Sequence, residues 1–276
     1  MLPGKKKQFF SLVPEGTPHQ VVGEREVILP GVSLEILTTR KIRLERWNLN
    51  KLQDPYWRLY CPVSGSALVR FGEDSEMRLS PGNLYIIPPR TTFSSNNPEP
   101  FSKWYIHFVL GRSNGAAVPG VYRQSVTPAL QSMIDALEKH RVSTPCLWQP
   151  ASLVIQALSR LPSEAWSNQR LDHRVEKAIE FLHSNLSKKV TADDAARAAG
   201  VSVRNLNHLF RSQLRLSPMS VLLDYRLDKA CRLLRHTDFS IEHIAEDCGF
   251  PNRYYFSRML KQNRGISPVA YRKGQL

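Results

Sequence analysis

The chain has 276 residues, 42% of them hydrophobic and 22% charged, with a formal net charge of +14 and a pI near 9.9. That balance describes one large or two ordinary globular domains and excludes a disordered or collagen-like chain. The charge favours a polyanionic partner, nucleic acid or an anionic surface. It does not locate the binding face, because 18 Lys+Arg and 11 Asp+Glu fall from Leu171 onward and leave the same excess on either side. Cys61, Cys146, Cys231 and Cys248 form no C-x-x-C pair. This argues against zinc or a disulfide framework and for reduced, mostly buried thiols. The apolar run after Lys5-Lys6-Lys7 is too short for a signal peptide, and no stretch approaches ~18 apolar residues. The expectation is a cytoplasmic protein with no membrane partner.

From about residue 8 to 110 the sequence is rich in aromatic, β-branched and turn residues. Strand-like alternation marks Arg58–Val63, Ala67–Phe71, Met77–Leu79 and Trp104–Val109. Turn signals at Gly65, Gly72-Glu73-Asp74, Pro81-Gly82-Asn83 and Asn96-Asn97-Pro98 separate them, which suggests an antiparallel sandwich or small barrel. Apolar residues then recur at helical spacing over Thr127–His140 and Cys146–Leu161. These two helices either cover one face of the barrel or form a dimer contact. Residues 162–171 break the pattern and read as a linker. Almost everything after Asp172 is helical.

Two segments of the C-terminal part repeat each other. The first runs from Thr191 through Gly200 to Leu206, Leu209 and Phe210, and closes at Ser217-Pro218. The second runs from Ser240 through Gly249 to Phe256, Met259 and Leu260, and closes at Ser267-Pro268. The glycines are offset by 49 residues and the Ser-Pro pairs by 50, a slip of one residue. Each half reads as helix, tight turn, helix: Thr191 with Asp194 resembles a capping box, Ser240 is a good N-cap, and each glycine suits a sharp turn. The second helix of each unit turns a polar face outward. Arg204, Asn207, His208 and Arg211 occupy that face in one, Arg253, Tyr254, Arg258 and Lys261 in the other; such side chains suit base edges and phosphates. Between the units, Pro218–Arg235 predicts a helix of roughly 27 Å at ~1.5 Å per residue. A rod of that length suits two readers near one duplex turn, ~34 Å, apart.

These C-terminal hundred residues resemble the AraC family of arabinose-operon-type regulators. The resemblance is carried by Ile244-Ala245, Gly249-Phe250, Tyr255-Phe256-Ser257-Arg258, Gly265-Ile266-Ser267-Pro268, Tyr271-Arg272 and, in the first unit, Leu206, Leu209 and Phe210. Two positions depart from the pattern: Arg215 where a glycine is usual, and Leu260 where a phenylalanine is usual. The resemblance implies sequence-specific binding of double-stranded DNA, with Arg204, Asn207, His208, Arg253, Tyr254 and Arg258 at reading positions. It also implies a homodimer and, for an activator, contact with RNA polymerase.

The strand-rich part resembles the cupin-like effector domain found ahead of this unit in many relatives. Its marks here are Arg58-Leu59-Tyr60, Gly65, Pro81-Gly82-Asn83, Ile87-Pro88-Pro89 and the Trp104/His107 pair. The fold expected is α+β: a cupin-like antiparallel β-barrel over 1–120 and flanking helices, read as a dimerisation segment, over 121–161. A linker (162–171) follows, then an all-α domain of two helix-turn-helix units joined by a linker helix over 172–276. A metal-dependent cupin enzyme would need several inward His or carboxylate ligands. The strand region offers only His107, with His19 and His140 elsewhere and no H-x-H, so neither metal, cofactor nor catalysis is expected. Arg58, Tyr60, Tyr85, Trp104 and His107 would instead suit a small polar effector, a sugar or a small polar anion. Trp104 and His107 have opposite strand parity and, without a bulge, cannot line one pocket together. The alternative is a ligand-independent regulator whose barrel serves assembly only.

Overall fold

The computed structural model describes residues 26–29, 32–73, 75–110, 117–139, 148–166 and 171–273. His19, His140, Cys146 and the 167–170 stretch of the linker lie outside them. Ten strands precede the helices: β1 (Glu26–Leu29), β2 (Val32–Leu44), β3 (Leu49–Leu52), β4 (Trp57–Ser64), β5 (Ala67–Phe71), β6 (Ser75–Leu79), β7 (Asn83–Ile87), β8 (Phe93–Asn96), β9 (Phe101–Leu110) and β10 (Tyr122–Ser125). They form two antiparallel sheets, one of six strands in the order β1-β2-β9-β4-β7-β10 and one of four in the order β3-β8-β5-β6.

The closed barrel expected from the sequence is therefore corrected to two open sheets packed face to face. Among the described residues no ladder joins one sheet to the other. Only such ladders could close a barrel. Strand β10, paired with β7 from Tyr122↔Ile86 to Ser125↔Asn83, also carries the sheet region past residue 120.

Period-two alternation sorts the large sheet into two faces. Trp57, Leu59 and Cys61 of β4, with Trp104, Ile106 and Phe108 of β9, pack under helices α1 (Pro128–Lys139) and α2 (Trp148–Ser159). Those helices contribute Leu130, Ile134, Leu153, Val154 and Ala157, so both expected helical segments cover an outer sheet face. Tyr60 and Tyr85 face the small sheet, in a core with Trp47, Val69, Leu79 and Phe93. Part of the expected linker also packs here: Trp166 forms a bridge with Ala117, and its ring lies 5.6 Å from Trp57.

Helices α3 (His173–Ser184), α4 (Ala192–Ala199), α5 (Val203–Leu214), α6 (Pro218–His236), α7 (Ile241–Asp247), α8 (Arg253–Arg264) and α9 (Pro268–Arg272) complete the chain. Two apolar clusters organise them. Val175, Ala178, Ala196, Leu206, Phe210 and Leu222 centre the first; Leu227, Cys231, Ile244, Cys248, Phe256, Leu260 and Tyr271 centre the second. Helix α6 supplies its first half to one and its second half to the other. No helix among the described residues is long and apolar enough to cross a membrane.

Candidate nucleic-acid interface

Each helix-turn-helix is set by local rules. Thr191 caps α4 in a reciprocal capping box with Asp194. Gly200 ends the helix at φ +69°, a left-handed turn that glycine adopts without steric cost. Ser202 then caps α5 by accepting from the Asn205 N–H, and Leu206 and Phe210 bury its inner face. In the second unit Ser240 caps α7, Gly249 turns at φ +75°, and Asn252 caps α8, which buries Phe256 and Leu260. Proline opens both α6 and α9 after a serine cap.

One asymmetry stands out. Gly265 ends α8 at φ +73°, whereas α5 ends on Arg215 in the same left-handed conformation at φ +59°. The missing glycine thus leaves the backbone path unchanged and places a strained L-residue on it.

The units also grip each other. Arg226 of α6 donates from Nε to the Leu186 carbonyl (2.8 Å) and from Nη2 to that of Lys188 (2.6 Å). A Cβ on Gly249 would sit 2.2 Å from the same Leu186 oxygen, so only glycine allows this approach.

All eight expected DNA-contacting residues lie on α5 and α8. Arg204, His208, Arg211, Arg253, Tyr254, Arg258 and Lys261 are exposed. None of these seven side chains makes a hydrogen bond or ion pair among the described residues. Tyr254 is 75% exposed. The guanidinium of Arg253 lies 5.1 Å from the Tyr254 ring, and that of Arg258 lies 5.3 Å from the ring of Tyr255. Asn207 differs: it is half-buried and its Nδ2 donates to the Val203 carbonyl at 2.9 Å.

The expected effector residues separate as strand parity dictates. Trp104 faces the helices and donates to Glu138 at 3.3 Å. The Tyr85 hydroxyl sits between the Ser80 N–H (3.0 Å) and the Arg78 carbonyl (3.0 Å), anchored within the sheets. Arg58, Tyr60 and His107 come together on the other face, with three residues that the sequence reading missed: Asp54, Lys103 and Tyr56. Lys103 is 3% exposed, and its Nζ lies 3.4 Å from the Trp47 ring centre and 3.5 Å from that of Tyr60. Its parity with Phe101, Tyr105 and His107 was the available signal.

This cluster is also where the helical part docks. Asp54 accepts from Tyr56 (2.9 Å), from Arg58 and from the Tyr271 hydroxyl of α9, with Arg235 of α6 at 4.0 Å. Burial alone would raise its carboxyl, but Arg58, Arg235 and the two hydroxyls outweigh it and hold the pKa below the usual carboxylate value. His236, at the end of α6, lies 5.4 Å from the His107 ring and 5.1 Å from that of Tyr56. Burial pushes His236 down to about 3 against the pull of Asp54, while burial, then His236 and Arg58, push His107 well down. Four buried nitrogens here, Arg58 Nη1, His107 Nδ1, His236 Nε2 and Arg235 Nε, have no hydrogen-bond partner among the described residues.

Residues 195–274 match the family model described as a helix-turn-helix domain. The chain is 28% identical over 150 residues to the transcriptional activator RhaS of Klebsiella pneumoniae, covering 54% of this chain and 53% of that protein. It is 33% identical over 105 residues to the arabinose operon regulatory protein of Escherichia coli, covering 38% of this chain and 36% of that one. The chain thus spans about half the length or less of these curated relatives. Among solved structures, unsaturated fatty acid-bound ToxT of Vibrio cholerae shares the fold with a TM-score of 0.54 at 14% identity, over 85% of this chain and 94% of that one.

Proposed function

We propose that this chain, whose C-terminal domain matches the helix-turn-helix model and is similar to AraC-type regulators, is an effector-controlled, sequence-specific DNA-binding transcription regulator. The observation that carries this reading is the pair of equivalent helices, α5 and α8, on which Arg204, His208, Arg211, Arg253, Tyr254, Arg258 and Lys261 have exposed side chains that make no hydrogen bond or ion pair among the described residues. Helix α6, 19 residues and roughly 28 Å at ~1.5 Å per residue, holds them apart. That length suits adjacent major-groove segments on one face of a duplex. Arg204, Arg253 and Arg258 take base edges; Asn207, His208, Arg211, Tyr254 and Lys261 complete the contact. Selection of DNA from a random pool by the full chain tests this. Enrichment of two short motifs about one helical turn apart supports it, and sequence-independent retention overturns it.

The effector class that suits this chain is a small organic carboxylate, a sugar acid included. The rings and donors of the sequence suited a sugar or a small polar anion. Two guanidiniums, Arg58 and Arg235, face the one carboxylate of Asp54, and Arg58 Nη1 and Arg235 Nε have no hydrogen-bond partner among the described residues, a donor surplus that an anionic group would satisfy. The bound fatty acid of ToxT is likewise a carboxylate. Thermal shift of the full chain against sugars, sugar acids and fatty acids is the direct measurement. Stabilisation by acids but not by neutral sugars supports the class, provided DNA affinity changes with it; stabilisation by neutral sugars alone overturns it.

The assembly-only alternative draws on the docking of Asp54 to Tyr271, which needs no ligand. In the proposed division, the sensor of 1–120 is extended by β10, the helical segment lies within 121–161, the connector spans 162–171 and the reader 172–276. A homodimer would use α2, where Trp148 and Ile155 remain exposed at 69% and 39%.

A further inference from the structure

Pro88-Pro89-Arg90-Thr91 forms the turn between β7 and β8, closed by Thr91 N–H to the Pro88 carbonyl at 3.4 Å. Arg90 has φ +62°. Proline at the second position and a positive φ at the third are the marks of a type II turn, whose third position ordinarily takes glycine. An arginine there is strained, and the turn is held by the Arg90 N–H on the Asp54 carbonyl at 2.9 Å.

The side chain explains why glycine does not stand there. Arg90 Nη2 reaches across to α6, 2.5 Å from Asp224 Oδ2 and 2.9 Å from Asp228 Oδ2. Arg264, in the last turn of α8, takes the other oxygens of the same two carboxylates, each at 2.6 Å. Two guanidiniums and two carboxylates thus form a neutral square, with one oxygen of each aspartate given to each arginine. Asp224 and Asp228 are four residues apart on one helix and repel each other without such partners. A cavity of about 90 Å³ adjoins the square, lined also by Gln53, Asp54, Pro55 and Cys231, so the contact has room to rearrange.

We propose that Arg90 is a positioning residue for the second reading helix. By holding Asp224 and Asp228 from the side opposite Arg264, it makes docking of the sheets and the pitch of α8 a single equilibrium. Among the described residues helix α5 makes no comparable ion-pair link to the sheets, so the sheets bias one reader more than the other. The inference rests on the reading of α5 and α8 as DNA readers.

Arg90→Gly separates this role from a structural one, because glycine relieves the turn while removing the guanidinium. The full-length variant is titrated against duplexes selected by the wild-type chain, whose two subsites are assigned with Arg204→Ala and Arg258→Ala. The expected result is a loss of about tenfold at the α8 subsite, with the α5 subsite within about twofold and a melting temperature no lower than wild type. Arg90→Lys should fall between, since an ammonium keeps the charge but, on a shorter side chain, reaches the two carboxylates that Arg90 Nη2 contacts less well. Equal weakening of both subsites, or of neither, overturns the proposal. Hydrogen exchange without DNA gives an independent reading: Arg90→Gly must speed exchange in the last turn of α8 and not in α5. Unchanged α8 exchange overturns the coupling even where the DNA reading itself fails, and that second failure shows separately as unaltered selectivity in Arg204→Ala and Arg258→Ala.

Discussion

Replacement of Asp54 by asparagine removes a fully buried carboxylate on which the sheets and the helices converge. Asp54 is 2% exposed and Arg58 1%, so the variant leaves a guanidinium buried without its counter-ion. Breaking a buried pair from one side costs about 3–5 kcal/mol, well above the ~0–1 kcal/mol of an exposed pair. Arg235 at 4.0 Å points the same way, since unit charges at that spacing attract by about 4 kcal/mol at an effective dielectric of ~20. Asparagine retains one acceptor oxygen but turns an amide toward donors, which keeps the loss in that range. Tyr271→Phe removes only the bond from α9 and should cost about 0.5–1.5 kcal/mol, because Tyr56 and Arg58 still satisfy the carboxylate. Urea unfolding of the full chain, with both single variants and the double, measures these losses and their coupling. A double variant no worse than Asp54→Asn is expected, since Tyr271 then has no carboxylate to lose. An Asp54→Asn variant within about 1 kcal/mol of wild type would refute the assignment of Asp54 as the charge that holds the domains together.

The remaining predictions concern the backbone of α5 and the buried histidines. Arg215→Gly relieves a left-handed L-residue and should stabilise the chain by about 0.5–1 kcal/mol, net of the greater freedom glycine brings to the unfolded state; a denaturant midpoint at or below wild type would speak against strain there. His236 stays neutral in the fold down to about pH 3, whereas an unfolded histidine protonates near pH ~6.5. Its contribution is therefore complete above pH ~6.5 and falls by about 1.4 kcal/mol per unit as the pH drops toward 3, with Asp54 adding loss of the same sign at the acid end. Stability measured from pH 7.5 to 5 should decline accordingly, and less steeply in His236→Gln, where His107, which burial also pushes down, carries the remaining slope; an unchanged slope in that variant would remove His236 from the account.

What could be read from the sequence was local. Gly200, Gly249, Ser202 and the Ser-Pro pairs announce caps and turns that act within a few residues, and each stands where its chemistry requires. The opposition of Trp104 and His107 followed from strand parity alone. The same parity placed Lys103 beside His107, yet its charge argued for an exposed position, and only the rings of Trp47 and Tyr60 around it show otherwise. Sheet closure depends on ladders between distant strands, which no local pattern specifies. Asp54, Arg90, Asp228 and Tyr271 come from four separate segments, and nothing in their surroundings along the chain announces that they meet. Arg90 carried one faint sign, an arginine at the turn position after Pro-Pro where glycine is usual.

The central claim is that α5 and α8 read separate base positions. Binding-site selection with wild type, Arg204→Ala and Arg258→Ala tests it most directly. Each variant should relax preference at one position, the two positions lying about one duplex turn apart, at a cost of about 1–3 kcal/mol on the preferred site. A uniform loss of affinity across all sequences, with the selected motif unchanged in both variants, would contradict it.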